Sequence, residues 1–213
     1  MIQPLVSCVM PTADRSKYVP YALSYFFNQD YFNSEIVIID DGQKPIQSIL
    51  PENLRIKYFR TAPITTIGLK RNYACEKADG DIIVHWDDDD WYASDWISRQ
   101  VNALVTSGAD ICGLEHVHHF SCITDTLWLG SRRNSNSGNV RQKLHSATLA
   151  YWKSFWENDP FQNLKNEEDN NFIVNPKGSI YAADYIDSFV SILHPYNTVI
   201  RYFEKASHKA TKK

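Results

Sequence analysis

Four consecutive aspartates, Asp87, Asp88, Asp89 and Asp90, directly follow the apolar stretch DIIVHW at residues 81–86. Two unit charges 4 Å apart repel by roughly 1 kcal/mol in water and by about 4 kcal/mol near a protein surface. Such a run therefore needs either full solvation or a cation. Adjacent carboxylates supply hard oxygen ligands, which suit Mg²⁺ or Mn²⁺ rather than a soft metal. The two interpretations are a wet acidic loop and a divalent metal site.

Other polar residues also follow short apolar runs. Residues 5–10 predict a strand that ends at Pro11 and leads to Thr12, and residues 34–42 predict a second that ends in Asp40 and Asp41. The remaining predicted strands of the first half, at 55–61 and 81–86, alternate with helices at 19–29, 65–80 and 94–108. We expect the last of these helices to be capped by Ser94 and stopped by Gly108.

This alternation predicts an α/β fold with a mostly parallel, Rossmann-like central sheet and helices on both faces. Right-handed crossovers bring the carboxyl ends of the strands to one edge, where ligands bind in such sheets. Acids from two separate strands would then meet in one crevice. That convergence favours a functional site over a solvated acidic run.

The second half predicts a smaller β/α part. Residues 110–130 indicate two strands joined by a turn near Thr124-Asp125, and 145–158 indicate a helix toward its end, with Trp152 and Trp156 four apart on it. Another helix is expected to open at 166–173, and two closing strands at 179–184 and 188–194, with a basic Gly/Ser/Asn-rich loop at 130–143. We predict a single domain over 1–204, with halves at 1–109 and 110–204, and a basic tail at 205–213.

Composition excludes several classes of protein. The 213 residues are 43 % hydrophobic with a net charge of −3, which gives no general affinity for nucleic acid. No stretch of about 18 apolar residues indicates a membrane span, and the first residues lack the pattern of a signal peptide. Four scattered cysteines are typical of reduced thiols. We expect a cytoplasmic protein, with the basic tail as a candidate for peripheral contact at the inner face of the membrane.

Common ligand motifs are missing. The sequence has no Walker loop, no GxGxxG fingerprint and no calcium-loop spacing, and the His/Cys stretch at 112–122 does not match a standard zinc spacing. The acids therefore suggest a metal ion that acts with a nucleotide diphosphate, without either common phosphate loop.

Five segments, in order, resemble glycosyltransferase family 2, which has the A-type glycosyltransferase fold. They cover roughly residues 4 to 198 and read VSCVMPTADR, EIVIIDDG, GLKRNYACEKADGDIIVHWDDDDWY, ATLAYWKSFWENDPF followed by NEEDNNF, and SILHPYNT. The third contains the arginine helix and the Asp-x-Asp-Asp motif of the family. Any one segment is a weak signal, whereas five in this order are a strong one.

The resemblance implies that 1–109 is a nucleotide-sugar-binding half with the donor site and that 110–204 is an acceptor-binding half. Pro11 and Thr12 would line the nucleoside pocket, with Arg15 close by, and Asp41 or Asp40 would bind the base. Arg71 would reach the base or the diphosphate. The remaining donor contacts would come from the acidic run, in which Asp87 and Asp88 face the ribose and the donor sugar, and Asp90 caps the next turn.

The resemblance also implies the metal and the base. Asp89 would hold Mn²⁺ or Mg²⁺ between the two phosphates, with an ambiguity of one residue along the run, and His194 could approach the metal or the leaving phosphate. Asp169 would be the general base, with Glu168 beside it.

The implied activity is a metal-dependent, inverting transfer of a single sugar from a nucleotide-diphospho-sugar, with a UDP-sugar favoured. The acceptor would be a hydroxyl of a glycan, glycolipid or other molecule in surface-glycan biosynthesis. The Gln-x-x-Arg-Trp motif of processive members is missing, which argues against a polysaccharide synthase. Two alternatives stay open, a nucleotidyltransferase that makes a nucleotide-sugar and a non-catalytic nucleotide-sugar-binding module.

Overall fold

A seven-stranded sheet forms the centre of the computed structural model, which describes residues 3–131, 144–164, 172–173 and 178–197. Its strand order is β10-β6-β9-β4-β1-β2-β3. The strands are β1 (Val6–Thr12), β2 (Ser34–Asp40), β3 (Ile56–Arg60), β4 (Ile82–His85), β6 (Ile111–Leu114), β9 (Ala150–Trp152) and β10 (Ile180–Ala183). All pairs are parallel except those of β9, which runs antiparallel to both β4 and β6.

A second, four-stranded sheet has the order β5-β11-β7-β8. It contains β5 (Trp91–Tyr92), β7 (His116–Ser121), β8 (Thr126–Ser131) and β11 (Phe189–Leu193). β11 pairs parallel with β7 and antiparallel with β5, the short strand that directly follows the four aspartates. The acidic run therefore lies between the two sheets.

The α-helices that pack on the central sheet in the described part of the chain include α1 (Val19–Phe27), α2 (Ile67–Lys77), α3 (Trp96–Ser107) and α4 (Lys153–Asn158). Successive side chains of a strand point to opposite faces. Accordingly Cys8 and Met10 of β1 pack in one core with α1 and α3, whereas Val9 packs in another with α2 and α4. All seven residues of β2 are buried, as a strand covered on both faces requires.

The helix ends follow local chemistry. α2 begins after Thr66, whose side chain accepts a hydrogen bond from the Leu69 amide at 3.3 Å. α3 ends at Gly108, which adopts the left-handed conformation with φ 66° as predicted. The predicted Ser94 cap is wrong, because Asp95 occupies that position and pairs with Arg99 at 2.7 Å instead of capping the helix.

Three further predictions are corrected. β1 does not stop at Pro11 but continues to Thr12, because the backbone stays paired with β2 as far as Asp40. The stretch 110–130 forms three strands, β6, β7 and β8, rather than two. Residues 145–158 are not one helix, since β9 inserts into the sheet and places Trp152 on a strand and Trp156 on α4.

Some predictions fall largely or wholly outside the described residues. They are most of the basic loop 130–143, most of the helix at 166–173, and the tail 205–213. None of the helices in the described part of the chain has the length and hydropathy that a bilayer span needs.

Candidate active site

A cavity of about 510 Å³ opens at the carboxyl ends of β1 and β4. This volume is typical of small-molecule sites. Its lining comes from the loop after β1, the start of α2, the four aspartates, the turn at 145–147, and β11 with the loop that follows it. The carboxyl ends of β1 and β4 meet here, since the Thr12 hydroxyl donates to Asp88 at 2.5 Å. The prediction that acids from two strands share the crevice is wrong, because neither Asp40 nor Asp41 lines the cavity.

Asp88 and Asp89 share one cationic partner. Nη1 of Arg15 lies 3.2 Å from Oδ1 of Asp88 and also contacts Oδ2 of Asp89. The same Asp89 oxygen faces Nε2 of His194 at 3.1 Å and accepts a hydrogen bond from the side-chain amide (Nδ2) of Asn197 at 3.2 Å. Burial raises the pKa of Asp88 to about 7, although the Arg15 charge acts in the opposite direction.

Asp87 and Asp90 have partners other than Arg15. Asp87 is the most exposed of the four, and its Oδ1 lies 3.7 Å from Nη2 of Arg71. Asp90 does not cap the next turn as predicted, because its carboxylate accepts the Ile192 amide of β11 at 2.8 Å. Burial, together with the charges of Asp87 and Asp89, raises the pKa of Asp90 well above its ordinary value. Asp90 therefore has a structural position that links the acidic run to the second sheet.

His194 is held in a fixed orientation. Its ring stacks on Tyr18 with centroids 4.4 Å apart, and its Nδ1 accepts from the Tyr196 amide at 3.1 Å. With Nδ1 acting as acceptor, the neutral ring carries its proton on Nε2 and donates to Asp89.

Asp40 is unavailable to a ligand, which corrects one of the two alternatives for base binding. Its side chain is fully buried and accepts from the amides of Gly42 at 3.0 Å and Ile46 at 3.1 Å, and from the Tyr58 hydroxyl at 2.8 Å. These bonds fix the loop after β2. Asp41 is the remaining candidate.

Lys70 separates Asp41 from the cavity. Its ammonium group donates to Oδ1 of Asp41 at 2.5 Å and to the Thr12 carbonyl at 2.6 Å. Lys70 lines the cavity together with Arg71, whereas Asp41 is not among the lining residues. The motif argument singled out Arg71 and missed Lys70, although both lie in the early part of a helix whose start was predicted.

The turn at 145–147 is the other part of the lining that the sequence did not indicate. It is held from beneath by His85, whose Nδ1 bonds the Ser146 carbonyl at 2.7 Å, and by Gln100, which donates to the Thr148 carbonyl at 2.8 Å. His85 is buried, as expected for a side chain that packs inside. Asn197 was also not predicted as a site residue, although it closely follows the predicted strand at 188–194. The predicted catalytic pair, Glu168 and Asp169, lies outside the described residues.

The donor atoms fit a divalent ion that shares its coordination with a ligand. Among the described residues, no group of three or more His, Cys, Asp or Glu side chains is arranged to hold a metal. Asp89 and His194 nevertheless supply an oxygen and a nitrogen 3.1 Å apart. Mg²⁺ is commonly held by one or two carboxylates together with substrate phosphates and water. Two protein ligands beside a cavity match that pattern.

The model of the family described as glycosyl transferase family 2 matches residues 7–180. The chain belongs to glycosyltransferase family 2. A relative from Haemophilus influenzae, an uncharacterized glycosyltransferase, is 34 % identical over 110 residues, which are 49 % of this chain and 44 % of the relative. The chain therefore spans less than half of that relative's length. Membership confirms the resemblance and supports the prediction of a glycosyltransferase enzyme.

Solved structures share the fold of this family 2 chain. S. aureus TarS 1–349 in complex with UDP has a TM-score of 0.68 at 17 % identity, over 90 % of this chain and 61 % of that one. The complex of the same protein with UDP-GlcNAc has a TM-score of 0.70 at 16 % identity, over 91 % and 60 %. The Pyrobaculum calidifontis mannosyltransferase PcManGT with GDP-Man and Mn²⁺ has a TM-score of 0.66 at 17 % identity, over 90 % and 57 %. The predicted fold class, mixed α/β with a large and mostly parallel sheet, is confirmed.

Proposed function

We propose that this chain transfers a single sugar from a nucleotide-diphospho-sugar to a hydroxyl group of an acceptor, and that the donor is a UDP-sugar. The observation that carries the proposal is the cavity in which Asp87, Asp88 and Asp89 face Arg71 and Lys70 in a family 2 fold. Support comes from three structures of two similar proteins, which contain UDP or UDP-GlcNAc in TarS and GDP-Man with Mn²⁺ in PcManGT.

The donor would bind across the carboxyl ends of the strands. Pro11 and Thr12 would line the nucleoside side, and Arg71 would carry the base or the diphosphate. Because Lys70 lies between the cavity and Asp41, a base that reaches Asp41 first has to displace the Lys70 ammonium group. Asp87 and Asp88 would then face the ribose and the sugar.

Asp89 and His194 would hold Mn²⁺ or Mg²⁺. When bound, the ion supplies Lewis-acid neutralisation of the charge that grows on the departing nucleotide diphosphate. The chain itself contributes orientation, since Tyr18 and the Tyr196 amide fix the His194 ring, and Asn197 fixes the Asp89 carboxylate. These contacts favour one geometry at the point where the diphosphate would leave.

The acceptor side of the proposal depends on the family alone. Asp169, with Glu168 beside it, would remove the proton of the acceptor hydroxyl, a contribution of typically 10²–10⁴-fold. Attack on the face opposite the leaving group in a single displacement inverts the anomeric centre. A glycan or glycolipid acceptor in surface-glycan assembly carries the hydroxyl group that this chemistry needs. The second half of the single domain would bind this acceptor. We also propose that the basic tail contacts the inner face of a membrane.

Calorimetry with UDP, GDP, CDP and dTDP, each with and without Mn²⁺, tests the donor site. We expect one nucleotide to bind, and to bind tightly only with the metal. If the folded protein binds none of the four in either condition, the proposal is overturned.

Donor hydrolysis then separates an enzyme from a binding module. Slow release of free sugar from the matching nucleotide-sugar supports a transferase, whereas binding without any turnover supports the non-catalytic alternative. The nucleotidyltransferase alternative predicts pyrophosphate release from a nucleoside triphosphate and a sugar phosphate. The family 2 match argues against it.

A further inference from the structure

Arg15 lies where a cation would neutralise the acidic run. Its Nη1 atom is 3.2 Å from Oδ1 of Asp88 and also contacts Oδ2 of Asp89. The Arg15 side chain is 15 % exposed, and the two carboxylates are 4 % and 11 % exposed. Hydrogen bonds between ionised groups are stronger than neutral ones, and exclusion of water strengthens them further. The guanidinium group is therefore firmly bound to both carboxylates.

The guanidinium group and a metal ion would need the same oxygen. Oδ2 of Asp89 is the atom that faces Nε2 of His194 at 3.1 Å, so it is the oxygen that a shared ion would use. That oxygen is already in contact with Arg15. Two cations on one carboxylate oxygen would repel each other at contact distance. Arg15 and the ion therefore exclude one another.

We infer that Arg15 is an internal competitor of the divalent ion and couples the binding of the metal to the binding of the nucleotide. This inference rests on the proposed function. Without a donor, Arg15 neutralises Asp88 and Asp89. When the ion binds, Arg15 leaves the carboxylates but stays in the same cavity, where the diphosphate of the donor is its new anionic partner.

The coupling follows from linkage. A metal ion alone has to break the contacts of Arg15 without offering the guanidinium group another anion. A nucleotide diphosphate supplies that anion, so each ligand lowers the cost of binding the other, and by the same factor in both directions. Arg15 also donates from Nη2 to the Tyr196 carbonyl at 3.1 Å, so its departure removes one bond from the loop after β11. Arg15 thus links the state of the two carboxylates to that of this loop.

Titration with Mn²⁺, followed by the electron paramagnetic resonance signal of the free ion, tests the inference without any turnover. The proteins are wild type, Arg15→Met and Arg15→Lys, each with and without UDP. Without nucleotide, we expect Arg15→Met to bind Mn²⁺ at least about 10-fold more tightly than wild type, in line with the strength of hydrogen bonds to charged groups. UDP should improve Mn²⁺ binding to wild type by a larger factor than to Arg15→Met.

Arg15→Lys keeps the charge but loses the planar fork, so its Mn²⁺ affinity should fall between those of the other two proteins. It also decides the question if circular dichroism shows that Arg15→Met does not fold. Asp89→Asn should remove Mn²⁺ binding, which assigns the measured ion to this site.

Arg99→Met is the matched control. Arg99 also pairs with two carboxylates, Asp95 at 2.7 Å and Asp187 at 3.1 Å, but it does not line the cavity. The Mn²⁺ affinity of Arg99→Met should equal that of wild type. Unchanged or weaker Mn²⁺ binding by folded Arg15→Met overturns the inference, as does the absence of Mn²⁺ binding in every variant. If UDP binds to no variant, the proposed function fails, while the metal-only comparison still decides the role of Arg15.

Discussion

Lys70 and Asp41 form an ion pair with side chains only 8 % and 10 % exposed. Removing one member of a buried pair leaves an uncompensated charge, which typically costs 3–5 kcal/mol. We expect Lys70→Met to lower the free energy of unfolding by about 3 kcal/mol in urea denaturation. Lys17→Met, which changes an exposed lysine, should cost less than about 0.5 kcal/mol.

The double variant Lys70→Met/Asp41→Asn separates the pair from the packing of the lysine stem. Without its negative charge, residue 41 no longer needs a cation, so the double variant should be more stable than Lys70→Met alone. A Lys70→Met protein as stable as wild type would show that this ion pair contributes nothing.

Asp169 is the residue whose proposed role separates binding from chemistry. We expect Asp169→Asn to bind the donor nucleotide as wild type does and to lose 10²–10⁴-fold in transfer rate, because the acceptor hydroxyl keeps its proton. Glu167→Gln, an isosteric change two residues away, should transfer normally. Transfer by Asp169→Asn at the wild-type rate would remove this residue from the proposed mechanism. Calorimetry and a donor-turnover assay on the same preparations give both readouts.

At the scale of residues, site residues that lie close together in the sequence could be predicted. Asp87 to Asp89 and Arg71 were found because their motif lies within one short segment. The contacts of Arg15 with Asp89, 74 positions away, and of Lys70 with Asp41, 29 positions away, depend on the fold and left no local signal. The candidate residues could be named from the sequence, but their partners could not.

At the scale of elements, the strong apolar runs were predictable and the short strands were not. β1, β2 and β4 are apolar and covered on both faces, so their composition alone indicates buried strands. β9 has three residues, and its aromatic sequence suits a helix equally well. Its pairing of Ala150 with both Val84 and Cys112 is what makes it a strand.

His85 ends β4 and supports the turn beside the cavity. Its lowered pKa in the folded protein makes the free energy of unfolding depend on pH. Burial lowers the pKa of His85 well below its ordinary value of 6.5, and the charge of Arg71 acts in the same direction. The folded protein keeps the imidazole neutral, whereas the unfolded chain takes up a proton as the pH falls through 6.5. The contribution of the neutral His85 to the free energy of unfolding is therefore complete above pH 6.5. It falls below that pH by up to about 1.4 kcal/mol per pH unit.

Urea unfolding of wild type and His85→Gln at pH 7.5, 6.5 and 5.5 measures this contribution. Glutamine can still donate to the Ser146 carbonyl but cannot be protonated. The stability of the variant should fall less steeply with acid than that of wild type. Parallel pH profiles for the two proteins would contradict a neutral, buried His85.

At the scale of the whole molecule, burial divides the four cysteines into two classes. Cys8, Cys75 and Cys112 are buried and Cys122 is exposed. Burial raises the pKa of the Cys75 thiol to about 12, and it also raises the pKa of Cys8 and Cys112. Because the thiolate is the reactive form, a thiol reagent at neutral pH should modify one cysteine in the native protein and four in urea.

Cys122→Ser should show no rapidly modified thiol in the native state. Rapid modification of a second thiol in native wild type would show that one of the buried positions opens to solvent. Counting the thiols by absorbance, with and without urea, provides the measurement.

The fold class was predictable because strand and helix alternate throughout the first half, a pattern that composition and periodicity report directly. The second sheet was not predictable as a unit. β7 and β8 are neighbours in the chain, but β5 and β11 lie far from them and from each other, and β5 has only two residues. Its bonds to the acidic run, such as that from Ile192 to Asp90, exist only once the chain is folded.

The position of β9 also affects how the chain can fold during its synthesis. β4 and β6 flank β9 in the sheet, and residues 150–152 of β9, which a ribosome makes much later than β4 and β6, fill the position between them. Until then a nascent chain carries two unpaired strand edges, one of them immediately before the four aspartates. Open edges of this kind invite wrong pairing and chaperone binding. The acidic loop thus acquires its final shape only after the ribosome has passed the codon for Trp152.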